Sequence, residues 1–438
     1  MFKKSIKKKL LSFALVSTIA VGGVAGSLSA PEAEAKSIPN KGKAKNVIFM
    51  IPDGYSTSYA TNYRWYKGEE TVLDSMLVGM QRTYSANSKV TDSAAAGTAM
   101  ATGVKTNNGM ISTSPDGKDL ETVLEAAEKN GKSSGLVATS TITHATPAVF
   151  ASHVASRADE AEIAPQLLDN DVDVILGGGK NYFPETLLND AKKDGYKYVS
   201  NKNELKNTKK TNKLIGLFAD EGMAPELDRD ETNQPSLADM TKSALDVLKR
   251  DKNGFFLMVE GSQIDWAGHD NDAAWAMKDS EAFEDAVAEA VKFAKKDGNT
   301  LVVVTGDHDT GGMSVGGYGK GDANPEILRN VTATGDYMAN ELNKKRSNVK
   351  KVVKKYTSLD LTNDEANRIK LAENPSMEIN KVISERALVG WTSTGHTGTD
   401  VPLYAYGPGS DLFAGLHENT DLPVMIAKAM KVKFKPGK

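Results

Sequence analysis

What most constrains this chain is a recurring unit. Short β-prone runs, several of them apolar on both faces, alternate with longer amphipathic stretches. The runs at 46–51, 134–138, 172–176, 214–218, 255–259 and 301–305 read as strands. A strand that is apolar on both faces needs cover on both sides, as in a parallel sheet sandwiched by helices. The stretches 120–129, 237–250 and 273–295 carry apolar residues at three- and four-residue intervals and read as helices. The alternation predicts an α/β fold, a three-layer helix–sheet–helix sandwich around a mainly parallel central sheet.

Two stretches break the rhythm. Residues 192–212 are rich in Lys, Asn and Asp and read as a surface excursion. Residues 324–384 are polar and helix-prone and read as an insertion on the same sheet, placed before the last histidine-bearing segment. No repeat or low-complexity linker divides the chain, so 36–438 is expected to form one catalytic domain.

The first 35 residues are of another kind. Lys3, Lys4, Lys7, Lys8 and Lys9 precede an apolar run, and Ala33-Glu34-Ala35 offers the small residues that a signal peptidase reads. This pattern predicts a cleaved signal peptide and a secreted or cell-wall-associated protein, with no transmembrane segment afterwards. The formal charge is −3 although residues 1–35 hold five Lys against two Glu, so the remainder is more acidic still and suits no nucleic-acid-binding role. With no Cys among 438 residues, disulfides and thiolate zinc sites are excluded. Stability beyond ordinary packing must then come from bound metal or oligomerisation.

In an open parallel sheet, ligands gather outside the carboxyl ends of the strands. Three apolar runs end there in acids and histidines. NVIFMIPDG places Asp53 after the first strand; FFLMVEGSQIDWAGHD places Glu260 at a strand end with Asp265 and His269 beyond it; LVVVTGDHDTGG places Asp307 and His308. Asp265 and His269 are spaced i, i+4, which on a helix puts them on one face about 5–6 Å apart. Carboxylate and imidazole without thiolate suit zinc or cobalt in a catalytic site. Each pair taken singly is more often a surface pair or cap than a metal site; three on strand ends reverse that balance and point to metal.

VTDSAAAGTAMATG sets Ser93 before an Ala-rich helical run. Asp92 or Ser93 can simply be the N-cap, and the same helix start can stabilise a phosphate through free N–H groups and the positive dipole end. THATPAVFASHVASR offers Thr146 ahead of Pro147, which fits a first helical turn, and Arg157 three turns later, a side chain able to grip two phosphate oxygens. His144 is ambiguous alone, His153 reads as structural, and His417 carries no motif.

Taken in order, these motifs resemble the alkaline phosphatase family from residue 46 to about 408: PDG, DSAAxGTA, ATPA followed by Arg, VEG with Asp and His downstream, TxDH, and STGHTGTDVPLYAYGPG. The resemblance implies hydrolysis of phosphate monoesters to alcohol and inorganic phosphate through a phosphoserine at Ser93. Arg157 would clamp the phosphate and Asp92 would orient Arg157. It implies one Zn²⁺ on Asp265, His269 and His396, a second on Asp53, Asp307 and His308, and Mg²⁺ on Asp53, Thr146 and Glu260. It also implies a homodimer.

Two positions depart from the best-known bacterial pattern. His144 stands where many members carry Asp, and Trp266 where several carry Lys. Both lie beside the third metal, whose identity is therefore expected to shift toward Co²⁺ or Zn²⁺. The alternatives are a related phosphodiesterase, phosphonoacetate hydrolase or phosphoglycerate mutase, and a metal- or phosphate-binding protein without turnover. The C/S-x-P-x-R context of sulfatases is absent.

Overall fold

The central strands are buried throughout, and their side chains turn to the two faces with the two-residue period of a sheet. In a computed structural model that describes residues 43–208 and 210–437, Ile48, Met50, Leu257, Val259, Val302 and Val304 join one apolar core. Val47, Phe49, Ile51, Phe256, Met258, Leu301 and Val303 join another. One run of residues thus serves two cores, one on each face, which only a sheet covered on both sides permits. Full burial of each such side chain contributes about 1.5–3 kcal/mol. The expected signal peptide at 1–35 lies outside the described residues, among which no helix is long and apolar enough to cross a membrane.

The strands are β1 (Asn46–Pro52), β2 (Leu77–Arg82), β3 (Ser133–Thr141), β4 (Val174–Gly178), β5 (Tyr196–Val199), β6 (Lys213–Leu217), β7 (Phe255–Gly261), β8 (Thr300–Thr305), β9 (Asp309–Thr310), β10 (Ser314–Val315), β11 (Val389–Gly390), β12 (His396–Thr397), β13 (Val401–Tyr406) and β14 (Gly415–Glu418). Ten of them form one sheet in the order β14-β2-β13-β8-β1-β7-β3-β4-β6-β5. Within it only β13 runs antiparallel to its neighbours. The α/β architecture and mainly parallel sheet are as expected from the sequence. The neighbours β8, β1, β7 and β3 all end on one rim, and their carboxyl ends deliver Asp307, Asp53, Glu260 and the loop to His144.

Two expectations need adjustment. The 192–212 excursion is structured: β5 forms the sheet edge, because Tyr196 and Val199 are buried while Lys197 between them faces out. The segment bearing Arg157 is not a three-turn helix. The helix Ala145–Ala148 stops within one turn. Beyond it Ser112 and Thr122 hydroxyls take the carbonyls of Val149 and Phe150, so those acceptors serve another part of the chain instead of continuing the helix.

Between β10 and β11 the chain makes a 3-10 turn, Pro325–Asn330, and four α-helices, Gly335–Asn340, Val349–Thr357, Asn363–Leu371 and Pro375–Ala387. Met338, Val353, Ile369 and Ile379 from these helices extend the first core rather than building one of their own. The excursion then returns at β11 and β12.

Candidate active site

Each carboxyl end turns sharply. After β1, Gly54 adopts φ +74°, and a Cβ there would lie 2.7 Å from Thr310 Oγ1. A side chain is excluded by both conformation and contact. The freed backbone serves the site: Gly54 N–H donates to Asp307 Oδ1 at 3.0 Å, as does His308 N–H. After β7, the helix Gln263–His269 carries Asp265 and His269 on one face, with His269 Nε2 3.3 Å from Asp265 Oδ2. His396 arrives from the far side of the helical excursion, paired in β12 opposite Thr310 of β9.

The imidazoles are oriented from behind. His269 Nδ1 faces the carbonyl of Thr394 at 2.7 Å, and His396 Nδ1 that of Thr91 at 2.9 Å. Since each carbonyl requires a proton on Nδ1, a neutral ring would present its lone pair on Nε2; Asp265 raises the pKa of both rings, that of His269 to about 9, by favouring a positive charge at these two Nε2 atoms. They lie 3.2 Å apart, with Asp265 Oδ1 3.4 Å from that of His396. Two ring nitrogens and a carboxylate converging at such distances suit a shared cation. His308 stacks on His396 at 3.6 Å between centroids, and its Nε2 lies 3.2 Å from Asp307 Oδ2 and 3.5 Å from Asp53 Oδ1.

The carboxylates make the same point. Asp53, Glu260 and Asp307 are fully buried, and Asp53 Oδ1, Glu260 Oε1 and Asp307 Oδ2 have no hydrogen-bond donor among the described residues. Burial, with repulsion from Asp307, Asp265 and Glu260, pushes Asp53 far above its ordinary range. Burial likewise lifts Glu260 to about 8 and Asp307 to about 6. Buried carboxylates that repel one another persist when paired with metal ions. Three sets of ligand atoms lie within 4.8 Å of one another: Asp265 with His308 and His396, Asp53 with Asp307 and His308, and Asp53 with His144 and Glu260. The donor set fits divalent metal.

Ser93 opens a fully buried helix, Ser93–Thr102, whose Ala and Gly residues suit its tight surroundings. Asp92 is the N-cap and accepts from Ala95 N–H at 3.0 Å, so capping and chemistry share one helix start. Ser93 Oγ lies 3.1 Å from His308 Nε2. The other oxygen of Asp92 accepts from Gly109 N–H at 2.9 Å and Arg157 Nη1 at 3.1 Å. Arg157 Nη2 reaches His144 Nε2 at 2.9 Å. Burial and then the charge of Arg157 hold His144 neutral, lowering its pKa to about 3. Thr146 Oγ1 donates to Asp53 Oδ2 at 3.3 Å, and Trp266 meets His144 edge to face at 6.2 Å. Every residue singled out from the sequence thus lies in this one cluster, whereas His153 and His417 bond elsewhere.

Sequence reasoning missed the supports. Thr310 Oγ1 donates to Asp265 Oδ1 and lies 3.3 Å from His308 Nδ1, while Tyr59 OH donates to the carbonyl of Thr310 at 2.6 Å. Glu160 accepts from Thr141 and Thr143, both at 2.6 Å, and so holds the loop leading to His144. The one available signal was position: Thr310 follows His308 by two residues, which in extended backbone returns it to the same side.

The family model described as alkaline phosphatase matches residues 44–432. Alkaline phosphatase 3 of Bacillus subtilis is 44% identical over 461 residues, covering 99% of each chain. The cold-active alkaline phosphatase of a Shewanella species has a TM-score of 0.83 at 34% identity, covering 88% of this chain and 99% of its own. A variant of the alkaline phosphatase TAB5, in which a histidine is replaced by glutamate, is described as having Mg bound in the M3 site. It has a TM-score of 0.69 at 30% identity, covering 90% of this chain and 99% of its own. With the model spanning nearly the whole chain and a full-length relative at this identity, the chain belongs to the alkaline phosphatase family.

Proposed function

We propose that Ser93 is the residue through which this chain hydrolyses phosphate monoesters. Its Oγ forms a bond to phosphorus as the bond to the alcohol oxygen breaks, and the proton lost by serine is balanced by the one gained by the alcohol. Water then attacks the phosphoserine, the Oγ–P bond breaks, and inorganic phosphate leaves. The carrying observation is the position of Ser93 Oγ, at the start of a buried helix and 3.1 Å from His308 Nε2 within the ligand cluster. Arg157, tied to Asp92, offers its guanidinium to the phosphate oxygens. A binder without turnover would need no hydroxyl there.

Asp265, His269 and His396 would hold one Zn²⁺, and Asp53, Asp307 and His308 a second. Asp53, Thr146 and Glu260 would hold the third ion, with His144 close enough to join them. When bound, the ions lower the pKa of the attacking hydroxyl and neutralise charge on the leaving oxygen. For the third ion His144 favours Zn²⁺ or Co²⁺ over Mg²⁺, and Trp266 leaves the phosphate without a lysine beside it. Export, and with it a secreted or wall-associated enzyme releasing phosphate outside the cell, rests on the 1–35 pattern. A homodimer rests on the family alone.

Radiolabelled inorganic phosphate, incubated with the enzyme at low pH and quenched in acid, should label Ser93 in peptide mapping. Label on any other residue overturns the assignment.

A further inference from the structure

Within the segment from β3 to Arg157, a single lone pair has two claimants. Arg157 Nη2 is a pure donor, and it lies 2.9 Å from His144 Nε2. To accept this bond His144 must be a neutral imidazole with its lone pair on Nε2 and its proton on Nδ1. That Nδ1 is buried and has no hydrogen-bond partner among the described residues. At the same time a ring nitrogen of His144 lies within 4.8 Å of ligand oxygens of both Asp53 and Glu260.

A neutral imidazole has one lone pair to give. If the third ion binds Nδ1, the proton moves to Nε2, where N–H then faces the N–H of Arg157. If it binds Nε2, the ion replaces Arg157 outright. In both cases the Arg157–His144 bond cannot coexist with ligation. Arg157 would keep its bond from Nη1 to Asp92 Oδ2 at 3.1 Å, while Nη2 is released. Arg157 retains 29% side-chain exposure, so the released group has solvent-accessible space in which a phosphate oxygen can reach it.

We infer that His144 is a positioning residue which holds the phosphate clamp Arg157 back until the third metal ion claims its lone pair, so that third-site occupancy and phosphate binding reinforce one another. The inference rests on the third-ion reading above. Linkage makes it reciprocal: phosphate that draws Arg157 away frees His144 and tightens the ion by the same factor. The ion's own charge also attracts phosphate, and the experiment must separate that contribution.

The test uses enzyme with its two tighter ions in place, titrated calorimetrically with Zn²⁺ for the third site at zero and saturating inorganic phosphate, and with phosphate at zero and saturating third-site Zn²⁺. In wild type each ligand should tighten the other by the same factor, about 5- to 150-fold. His144→Phe keeps a ring against Trp266 and removes both nitrogens. It should weaken third-site Zn²⁺, tighten phosphate in the absence of that ion, and show a coupling at least about fivefold smaller than wild type. A measurement on wild type alone stands beside the variant: the Arg157 side-chain ¹⁵N resonances should shift when third-site Zn²⁺ is added without phosphate. Equal coupling in both proteins, or unshifted Arg157 resonances, overturns the inference while leaving the third-ion reading intact. Unchanged third-site Zn²⁺ affinity in His144→Phe overturns both.

Discussion

His144 and His153 lie in one short segment, yet the fold treats them in opposite ways. Both nitrogens of His153 face acceptors, Nδ1 the carbonyl of Ser112 at 2.9 Å and Nε2 the carboxylate of Glu125 at 2.8 Å. Glu125 in turn closes a capping box with Thr122 at the start of the helix Val123–Lys129. His144 has a donor on one side and, among the described residues, no hydrogen-bond partner on the other. The rim around it shares this trait, with partnerless oxygens on Asp53, Glu260 and Asp307. A buried polar group with every partner present has a structural task, and a cluster of groups lacking theirs awaits something the chain does not supply.

Removing the awaited partner should give the largest effect. Exhaustive chelation is expected to abolish hydrolysis of p-nitrophenyl phosphate and to lower the melting temperature in the same titration, because ligands from distant segments lose their common ion. Full activity after chelation would break the contrast between the two histidine environments. Next comes Ser93→Ala, expected to reduce kcat by at least about 10³-fold while leaving metal content and melting temperature near wild type. A parallel loss of metal would mean that Ser93 supports the cluster instead of reacting within it.

Thr310→Val leaves Asp265 Oδ1 without its donor and should weaken metal affinity by about 10- to 100-fold, with Thr310→Ser restoring most of it. Equilibrium dialysis of the three proteins decides, and equal affinities would remove Thr310 from the site's supports.

The smallest effect belongs to the satisfied pair. Burial alone would lower the pKa of His153, but the bonds to Glu125 and Ser112 outweigh it and raise the value above 6.5. Burial would raise Glu125, and the His153 and Thr122 bonds outweigh that and lower it below 4.5. The histidine's contribution to stability is therefore full below pH 6.5 and fades as pH rises through its folded value. That of the glutamate is full above pH 4.5 and fades as pH falls through its own folded value. His153→Gln should cost about 1–3 kcal/mol between those limits, less at pH 9, with kcat/KM unchanged. Guanidinium unfolding at pH 5.5 and 9 measures this, and a cost that grows with pH would show that the sign is wrong.

The sequence declared the centre of the fold and hid its margins. The strands β1, β3, β4, β6, β7 and β8 are legible because both of their faces are buried, which forces a continuous apolar run. At the edge, β5 alternates with lysine in a polar stretch. Gly79 interrupts β2, Pro402 sits inside β13, and β14 is partly exposed. The candidate site was legible for a related reason: its acids and histidines stand directly after the runs that are easiest to read. Thr310, Tyr59 and Glu160 were not, since a hydroxyl or carboxylate bonding across the chain looks in sequence like any other.

The two-residue pairing of β12 with β9 has a consequence in time. It seats His396 opposite Thr310 only after the four-helix excursion has folded back. The cluster therefore draws on residues as far apart in the chain as Asp53 and His396. A nascent chain still emerging holds Ser93, Arg157 and most of the acids, but not the imidazole that completes the Asp265 cluster. Every residue from 53 to 396 must therefore be made before this cluster can close.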